Sequence, residues 1–200
     1  MSMSQESVAI LETYGHIAVI RLNRPERLNA INNALSDDVH TVLEEIEKKA
    51  EIRVVILTGE GRGFCAGADV NQMSDSLQGK TNPKPPRYPY IVSSIAGHIR
   101  RISQPVIAAV NGVAAGGGLG IALACDVRIA SDDARFSCVF VKRSLVPDTG
   151  TSYTIAKLSG MGIAMEMALT GNVYDSKWAL DKGLLNKVVS RDHLMDECFL

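Results

Sequence analysis

The chain has 200 residues, 46% of them hydrophobic and 22% charged, with a formal net charge of −1 at pH 7. These values suit one globular domain with a sizeable core, and they exclude both a charge-rich disordered chain and a basic nucleic-acid-binding surface. Met1–Ser7 is polar and lacks the apolar stretch of a secretory leader, and Cys65, Cys125, Cys138 and Cys198 do not have metal-ligand spacing, so the expectation is a cytoplasmic chain with reduced thiols and no metal centre.

From the N-terminus, Val8–Thr13 and Ile17–Leu22 flank Tyr14-Gly15-His16 and predict a β-hairpin, with His16 a turn residue. Asn23–Ala30 predicts a loop carrying Arg24 and Arg27. Asn33–Ala50 predicts an amphipathic helix with Leu35, Val39, Val42, Leu43 and Ile46 on its apolar face and His40 on its surface. Val54–Thr58 is an apolar strand that runs into the small-residue turn Gly59–Asp69. Val70–Leu77 predicts a short helix, and Gly79–Pro89, rich in proline and charge, an exposed loop that serves as a lid or is simply solvated. Tyr90–Ile102 predicts a helix whose His98, Arg100 and Arg101 lie near the end, where cations suit the helix dipole.

The next stretch organises the chain. An apolar run, Ile107–Val110, leads through Asn111-Gly112 to Gly116-Gly117-Gly118 and an alanine-rich segment ending at Asp126, a pattern that predicts a buried strand, a turn and a glycine entry into a helix. Glycines let a ligand approach the backbone, and free N–H groups at a helix start attract a phosphate or a developing oxyanion. The spacing is not that of a dinucleotide fingerprint. Gly118-Leu119 stands where a P-loop needs Lys-Ser/Thr, and the glycines break the uncharged run Pro105–Cys125 too often for a membrane span. A plain tight turn and an oxyanion site both remain open on this stretch alone. The turn at Gly59–Asp69 favours the second, because parallel strands of an α/β fold end at one edge, where N–H groups from two turns can meet on one carbonyl oxygen.

Beyond it, Val127–Ala130 and Phe136–Val141 predict strands. Thr151–Leu158 and Gly162–Leu169 predict helices separated by Gly160. Asp175 or Ser176 starts a helix that Gly183 ends; Leu184–Val189 is extended, and a last helix begins at Asp192.

Five motifs in order, NRPERLNA (Asn23–Ala30), GFCAGAD (Gly63–Asp69), NGVAAGGGLG (Asn111–Gly120), CDVRIA (Cys125–Ala130) and LVPDTGTS (Leu145–Ser152), resemble the crotonase, or enoyl-CoA hydratase/isomerase, superfamily over about Val8–Val189. The resemblance implies an α/β fold with a ββα-spiral core, formed by residues 1–200 as one domain. Members of the family continue into a C-terminal helical segment that packs on a neighbouring subunit, so the resemblance implies either a truncated chain or a shortened relative. It implies an acyl-CoA thioester as partner, coenzyme A being part of the substrate rather than a cofactor, and a homotrimer or dimer of trimers. The N–H groups of Ala68 and Gly117 match the oxyanion hole that stabilises a thioester enolate. Arg24, Arg27, Leu28 and Ala30 match the segment lying along coenzyme A. Ala66, Asp69, Val70 and Phe140 are further substrate-binding candidates.

Two-carboxylate hydratases of the family carry acids at the positions of Gly120 and Phe140, and both are absent. Asp148 remains. Its bland reading is a cap on the following helix. The resemblance instead implies a base that shuttles a proton between carbons of an unsaturated acyl-CoA, for which one carboxylate suffices, and the neighbouring apolar Phe140, Leu145 and Val146 are expected to make it a better base. In motif, the chain is nearest to the ring-opening isomerase branch of phenylacetyl-CoA breakdown and to the 4-chlorobenzoyl-CoA dehalogenase branch. In the latter the matching aspartate is a nucleophile, but the histidine and tryptophan used beside it are Ser93 and Phe140 here. The expected function is therefore enoyl-CoA double-bond isomerisation. The alternatives are hydration with a non-standard acid, aspartate-nucleophile chemistry and non-catalytic acyl-CoA binding.

Overall fold

The computed structural model describes residues 7–80, 87 and 91–200. The expected hairpin is present: β1 (Ala9–Tyr14) pairs antiparallel with β2 (Ile17–Leu22), followed by a 3₁₀ turn at Pro25–Arg27 and helix α1 (Asn33–Glu47). Asn32 caps α1 by accepting the Leu35 N–H, and the helix stops three residues before the predicted Ala50 in a pair of tight turns around Lys48 and Lys49. Then come β3 (Val54–Gly59), β4 (Gly63–Cys65), α2 (Val70–Leu77) and α3 (Ile91–Ile99). The Gly79–Pro89 loop, apart from Gly79, Lys80 and Arg87, lies outside the described residues.

The organising stretch forms β5 (Val106–Val110), a short β6 (Val113–Ala115) and α4 (Gly117–Ala124), and β7 (Val127–Ser131) follows. The strand expected over Phe136–Val141 is shorter: β8 spans Arg135–Ser137, and Val139–Arg143 is a 3₁₀ turn. The break comes where the Ser137 carbonyl accepts the Gly116 N–H, the end of a sheet whose strands are no longer than three residues. Helices α5 (Thr151–Ser159) and α6 (Met161–Thr170) meet at Gly160, and a two-residue β9 (Tyr174–Asp175) leads to α7 (Ser176–Asp181), capped by Asp175. The chain ends with β10 (Lys187–Val189), a 3₁₀ turn and α8 (Leu194–Cys198).

Two sheets result. The larger runs β1-β2-β3-β5-β7-β10, parallel from β2 onward, and the smaller runs β4-β6-β8-β9. Each of three successive passes adds one strand to the larger sheet, one to the smaller, and then a helix: β3-β4-α3, β5-β6-α4 and β7-β8-α5, with α2 inserted in the first. This is the ββα spiral that the motifs imply. The large sheet is buried on both faces, as parallel sheets are. Ala18, Ile20, Leu22, Val55, Leu57, Ala108, Val110 and Ala130 face the helices of the main core, and Val19, Ile56, Ala109 and Ile129 face Leu194 and Cys198 of α8. The period-two alternation accounts for both sets.

One histidine departs from expectation: His40 is fully buried rather than on the surface, against His98 in the last turn of α3, itself 5% exposed. Their rings stack with Nδ1 atoms 2.7 Å apart, and His40 Nε2 meets Ser94 Oγ at 2.9 Å. His40 falls on the same helical face as Ser36, Val39 and Leu43, the face that packs α1 on α3.

Candidate active site

The site is built where the small sheet ends. Parallel β4 and β6 bring their following turns, Ala66–Asp69 and Gly116–Gly117, side by side. Gly67 has φ +92°, and a side-chain carbon built on it would sit 2.8 Å from the Ala115 carbonyl oxygen and 3.2 Å from the Gly117 nitrogen, so only glycine allows this approach. Gly118 lies directly on the backbone of Cys65, which packs the start of α4 against the end of β4. Ile31 clamps the first turn from outside: its N–H donates to Gly67 O at 2.7 Å and its carbonyl accepts the Asp69 N–H at 2.9 Å. The Ala68 N–H between them is left out of this pairing, and Gly117, the first residue of α4, has no intrahelical acceptor for its own. The two N–H groups expected to act together thus belong to adjoining turns.

Two asparagines hold this edge. Asn111 Nδ2 donates to Gly59 O at 2.8 Å and Gly61 O at 3.0 Å while its Oδ1 accepts the Gly59 N–H. Asn29, fully buried at φ +56°, donates to Gly63 O at 2.7 Å and Glu60 O at 3.0 Å. They fix the crossing from β3 to β4, a positioning role that the sequence motifs contain but do not announce.

The Asn23–Ala30 loop runs along the first turn, joined by Ala66 N–H to Leu28 O at 3.0 Å. Of its arginines, Arg24 turns inward. It bonds the Ala30 carbonyl and pairs with Asp69 at 2.9 Å, the two side chains being 13% and 11% exposed. The other Asp69 oxygen accepts the N–H groups of Asn71 and Gln72 at the start of α2. Arg24 and Asp69 therefore hold each other, and Arg27 is the arginine exposed to solvent. Leu28 is half-buried at φ +49°, Ala30 is buried, Ala66 and Ala68 are partly exposed, and Val70 is exposed. Phe140 is buried in the core on the 3₁₀ turn that leads toward Asp148.

Asp148 is not a helix cap. The cap position of α5 is Gly150, with no side-chain cap, and it is the Asp148 backbone carbonyl that accepts from Thr151 N–H and Oγ1. Its carboxylate Oδ1 instead accepts from Thr149 Oγ1 at 2.6 Å. Thr149 is buried, with φ +52° and its Oγ1 3.4 Å from Ser93 Oγ of α3; a side-chain carbon on Gly117 would lie 3.3 Å from the same Oγ1. One hydroxyl thus separates the carboxylate from the Gly117 turn. The apolar surround expected of Asp148 is not there: Asp148 is exposed, Leu145 is 48% and Val146 79% exposed, and only Phe140 is buried. Ser93 and Thr149 also line a cleft of about 610 Å³ between α3, α4 and α5. Neither residue stands out in the sequence as chemistry-bearing.

Burial pushes the Cys65 thiol up to about 12, so the cysteine in the first turn is a packing residue. No group of three or more His, Cys, Asp or Glu among the described residues is arranged to hold a metal ion, and no described helix is long and apolar enough to cross a membrane.

Residues 12–200 match the family model described as enoyl-CoA hydratase/isomerase. The chain belongs to this family. It is 38% identical over 190 residues to the short-chain-enoyl-CoA hydratase of Clostridium acetobutylicum, covering 94% of this chain and 70% of that protein. It is 36% identical over 180 residues to the 1,2-epoxyphenylacetyl-CoA isomerase of Escherichia coli, covering 90% and 69%. Among solved structures, a probable enoyl-CoA hydratase/isomerase from Mycobacterium abscessus superposes with a TM-score of 0.83 at 33% identity, covering 96% of this chain and 73% of that one. A monofunctional enoyl-CoA isomerase from M. smegmatis gives 0.80 at 35%, covering 96% and 82%. The protein is thus an enzyme of the enoyl-CoA hydratase/isomerase type acting on acyl-CoA, with the crotonase fold.

Proposed function

We propose that the chain is an enoyl-CoA double-bond isomerase with Asp148 as its single base. The observation that carries this reading is the state of the Asp148 carboxylate. Among the described residues it is spent on neither a cap nor an ion pair, only the Thr149 hydroxyl separates it from Gly117, and Gly120 and Phe140 stand where a second acid would be. Hydration by paired acid and base needs two carboxylates around one water; a 1,3-proton shift needs one. The thioester oxygen lies between the Ala68 and Gly117 N–H groups, which stabilise the negative charge that develops on it. Asp148 takes a proton from C2 of a 3-enoyl thioester, the dienolate carries the electron pair to C4, and Asp148 returns the proton there, leaving the conjugated 2-enoyl thioester. The reaction is redox-neutral and needs no cofactor beyond the coenzyme A of the substrate. Arg27 meets a coenzyme A phosphate, and Leu28, Ala30, Ala66 and Val70 border the pantetheine and thioester. Exposed apolar side chains on α5, α6 and the following loop, Tyr153, Met161, Leu169 and Val173 at 64–68%, suit association of copies into a trimer. Four buried free thiols suit a reducing cytoplasm.

The test is incubation with a 3-enoyl-CoA, following ultraviolet absorbance of the conjugated thioester. Wild type should form product and Asp148→Asn should be slower by at least about 10²-fold while still binding the thioester. Equal turnover by the two proteins would remove Asp148 from the reaction. Water addition to a 2-enoyl-CoA by wild type would favour the hydratase reading.

A further inference from the structure

We infer that Thr149 is a positioning residue for the Asp148 carboxylate and that it commits the site to one acid; the inference rests on the reading of Asp148 as the base. Three observations on the same side chain support it. Its Oγ1 donates to Asp148 Oδ1 at 2.6 Å, the short distance of a charge-assisted bond, and is met from the other side by Ser93 Oγ at 3.4 Å. Its Cβ and Cγ2 lie 2.7 Å from where a side-chain carbon on Gly120 would be, so they occupy the space a carboxylate at position 120 would need. Its backbone is at φ +52°, a region disfavoured for a β-branched residue and free for glycine, so the side chain is retained there against local strain.

These features act together. Asp148 is exposed, and an exposed carboxylate turns freely about χ1 and χ2 unless something holds it. The Thr149 hydroxyl holds one oxygen and leaves the other for the substrate carbon. A base that moves a proton from C2 to C4 of a planar dienolate must reach both carbons from one face, which a fixed carboxylate orientation provides. The Thr149 hydroxyl has one proton; given to Asp148, it leaves the oxygen lone pairs to accept from Ser93. The chain Ser93–Thr149–Asp148 therefore has one direction, and α3 anchors its far end.

The experiment compares Thr149→Val, which keeps shape and removes the hydroxyl, with Thr149→Ser, which keeps the hydroxyl. In Thr149→Val, kcat for the 3-enoyl-CoA should fall roughly tenfold with KM within about twofold, the size of losing one charge-assisted hydrogen bond to a reacting group. Thr149→Ser should recover most of kcat. Independently of turnover, the three-bond side-chain couplings of Asp148 should report one χ1 rotamer in wild type and Thr149→Ser, and averaging in Thr149→Val. Ser93→Ala, which leaves the strained backbone at position 149 alone, should loosen the same couplings and keeps the test open if Thr149→Val fails to fold. A wild-type kcat and a single rotamer in Thr149→Val would overturn the inference, as would a Thr149→Ser protein no better than Thr149→Val. Turnover that survives in Asp148→Asn would defeat the base assignment instead, and the couplings would still report whether Thr149 fixes the carboxylate.

Discussion

Gly120 and Thr149 touch so closely that no side chain fits between them: a carbon built on Gly120 would lie 2.7 Å from the Thr149 Cβ, Cγ2 and carbonyl oxygen. Helix α4 and the segment entering α5 are therefore set at a fixed spacing by one absent side chain. Gly120→Ala should destabilise the protein by about 1–3 kcal/mol, the range for overpacking a close contact. Thr149→Gly removes two of the clashing atoms and the positive-φ strain, so adding it should recover part of the loss. Urea unfolding of the two single variants and the double variant measures the coupling, and strictly additive changes would show that the two residues do not meet as described.

The two arginines of the Asn23–Ala30 loop should behave differently. Arg24 is half-buried and holds the Ala30 carbonyl and Asp69 at once. Arg24→Ala should cost about 1.5–3 kcal/mol of stability, the range for hydrogen bonds to charged groups. Arg27 is exposed, so Arg27→Ala should change stability by no more than about 0.5 kcal/mol. If Arg27 meets a coenzyme A phosphate, its loss should raise KM by roughly 3–10-fold, and added salt should narrow that gap. Melting curves and steady-state kinetics on both variants separate the two roles.

Gly67→Ala places a methyl 2.8 Å from the Ala115 carbonyl oxygen at a residue with φ +92°. Either the β4 turn or the β6 turn must move, and with it the spacing of the Ala68 and Gly117 N–H groups. The stability loss should be of order 1–3 kcal/mol. If the Ala68 and Gly117 N–H groups hold the thioester oxygen as proposed, the loss of kcat/KM should exceed what unfolding explains, because an oxyanion donor displaced from its acceptor forfeits about 2.7–4 kcal/mol of transition-state stabilisation. Gly15→Ala, where nothing lies within 4 Å of the added carbon, serves as a comparison for the cost of positive φ alone at +60°.

Local signals in the chain were enough for the hairpin, the α1 and α2 segments, the two glycine turns and the pairing of α5 with α6 across Gly160, because each has its own punctuation. The three-residue strands of the small sheet were not legible as such: β6 looks like part of a turn, and β8 is cut short by tertiary pairing at Ser137 rather than by any residue of its own. The site divides in the same way. The two small-residue turns are readable because a close backbone approach demands glycine, as at Gly67 and Gly118, whereas Ala68 and Gly117 as paired donors come only from the family resemblance. Arg24 is ambiguous, since only the folded chain brings Asp69, 45 residues away, to its guanidinium. Thr149 is hidden altogether, because a threonine next to an aspartate gives no sign of a positive φ or of contact with Gly120. His40 misleads for a related reason: one polar residue among apolar ones at helical spacing looks like a surface residue until a second histidine arrives from α3.

That buried pair carries the last expectation, which concerns acid. The two Nδ1 atoms can share only one proton, so an added proton must go to an outer nitrogen, His40 Nε2 beside Ser94 Oγ or His98 Nε2, 3.5 Å from Glu47. Burial, and next to it the His98 ring, lowers the His40 pKa from 6.5 to about 4, with Glu44 and Asp37 opposing and Arg101 adding to the fall. The folded-state value is below the unfolded one, so between about pH 6.5 and 4 the unfolded chain binds more protons. His40 should therefore contribute stability that is full above pH 6.5 and is lost as pH falls toward 4. The linked loss approaches about 3 kcal/mol. Urea midpoints at a series of pH values should show that decline, and His40→Asn, which cannot titrate there, should flatten it. Val92 of α3 packs on Gly117 and Ser93 on Thr149, so loosening the α1–α3 contact reaches the proposed site. Turnover should then fall in the same pH window ahead of global unfolding. A variant without the imidazole that declines as steeply as wild type would place the acid sensitivity elsewhere.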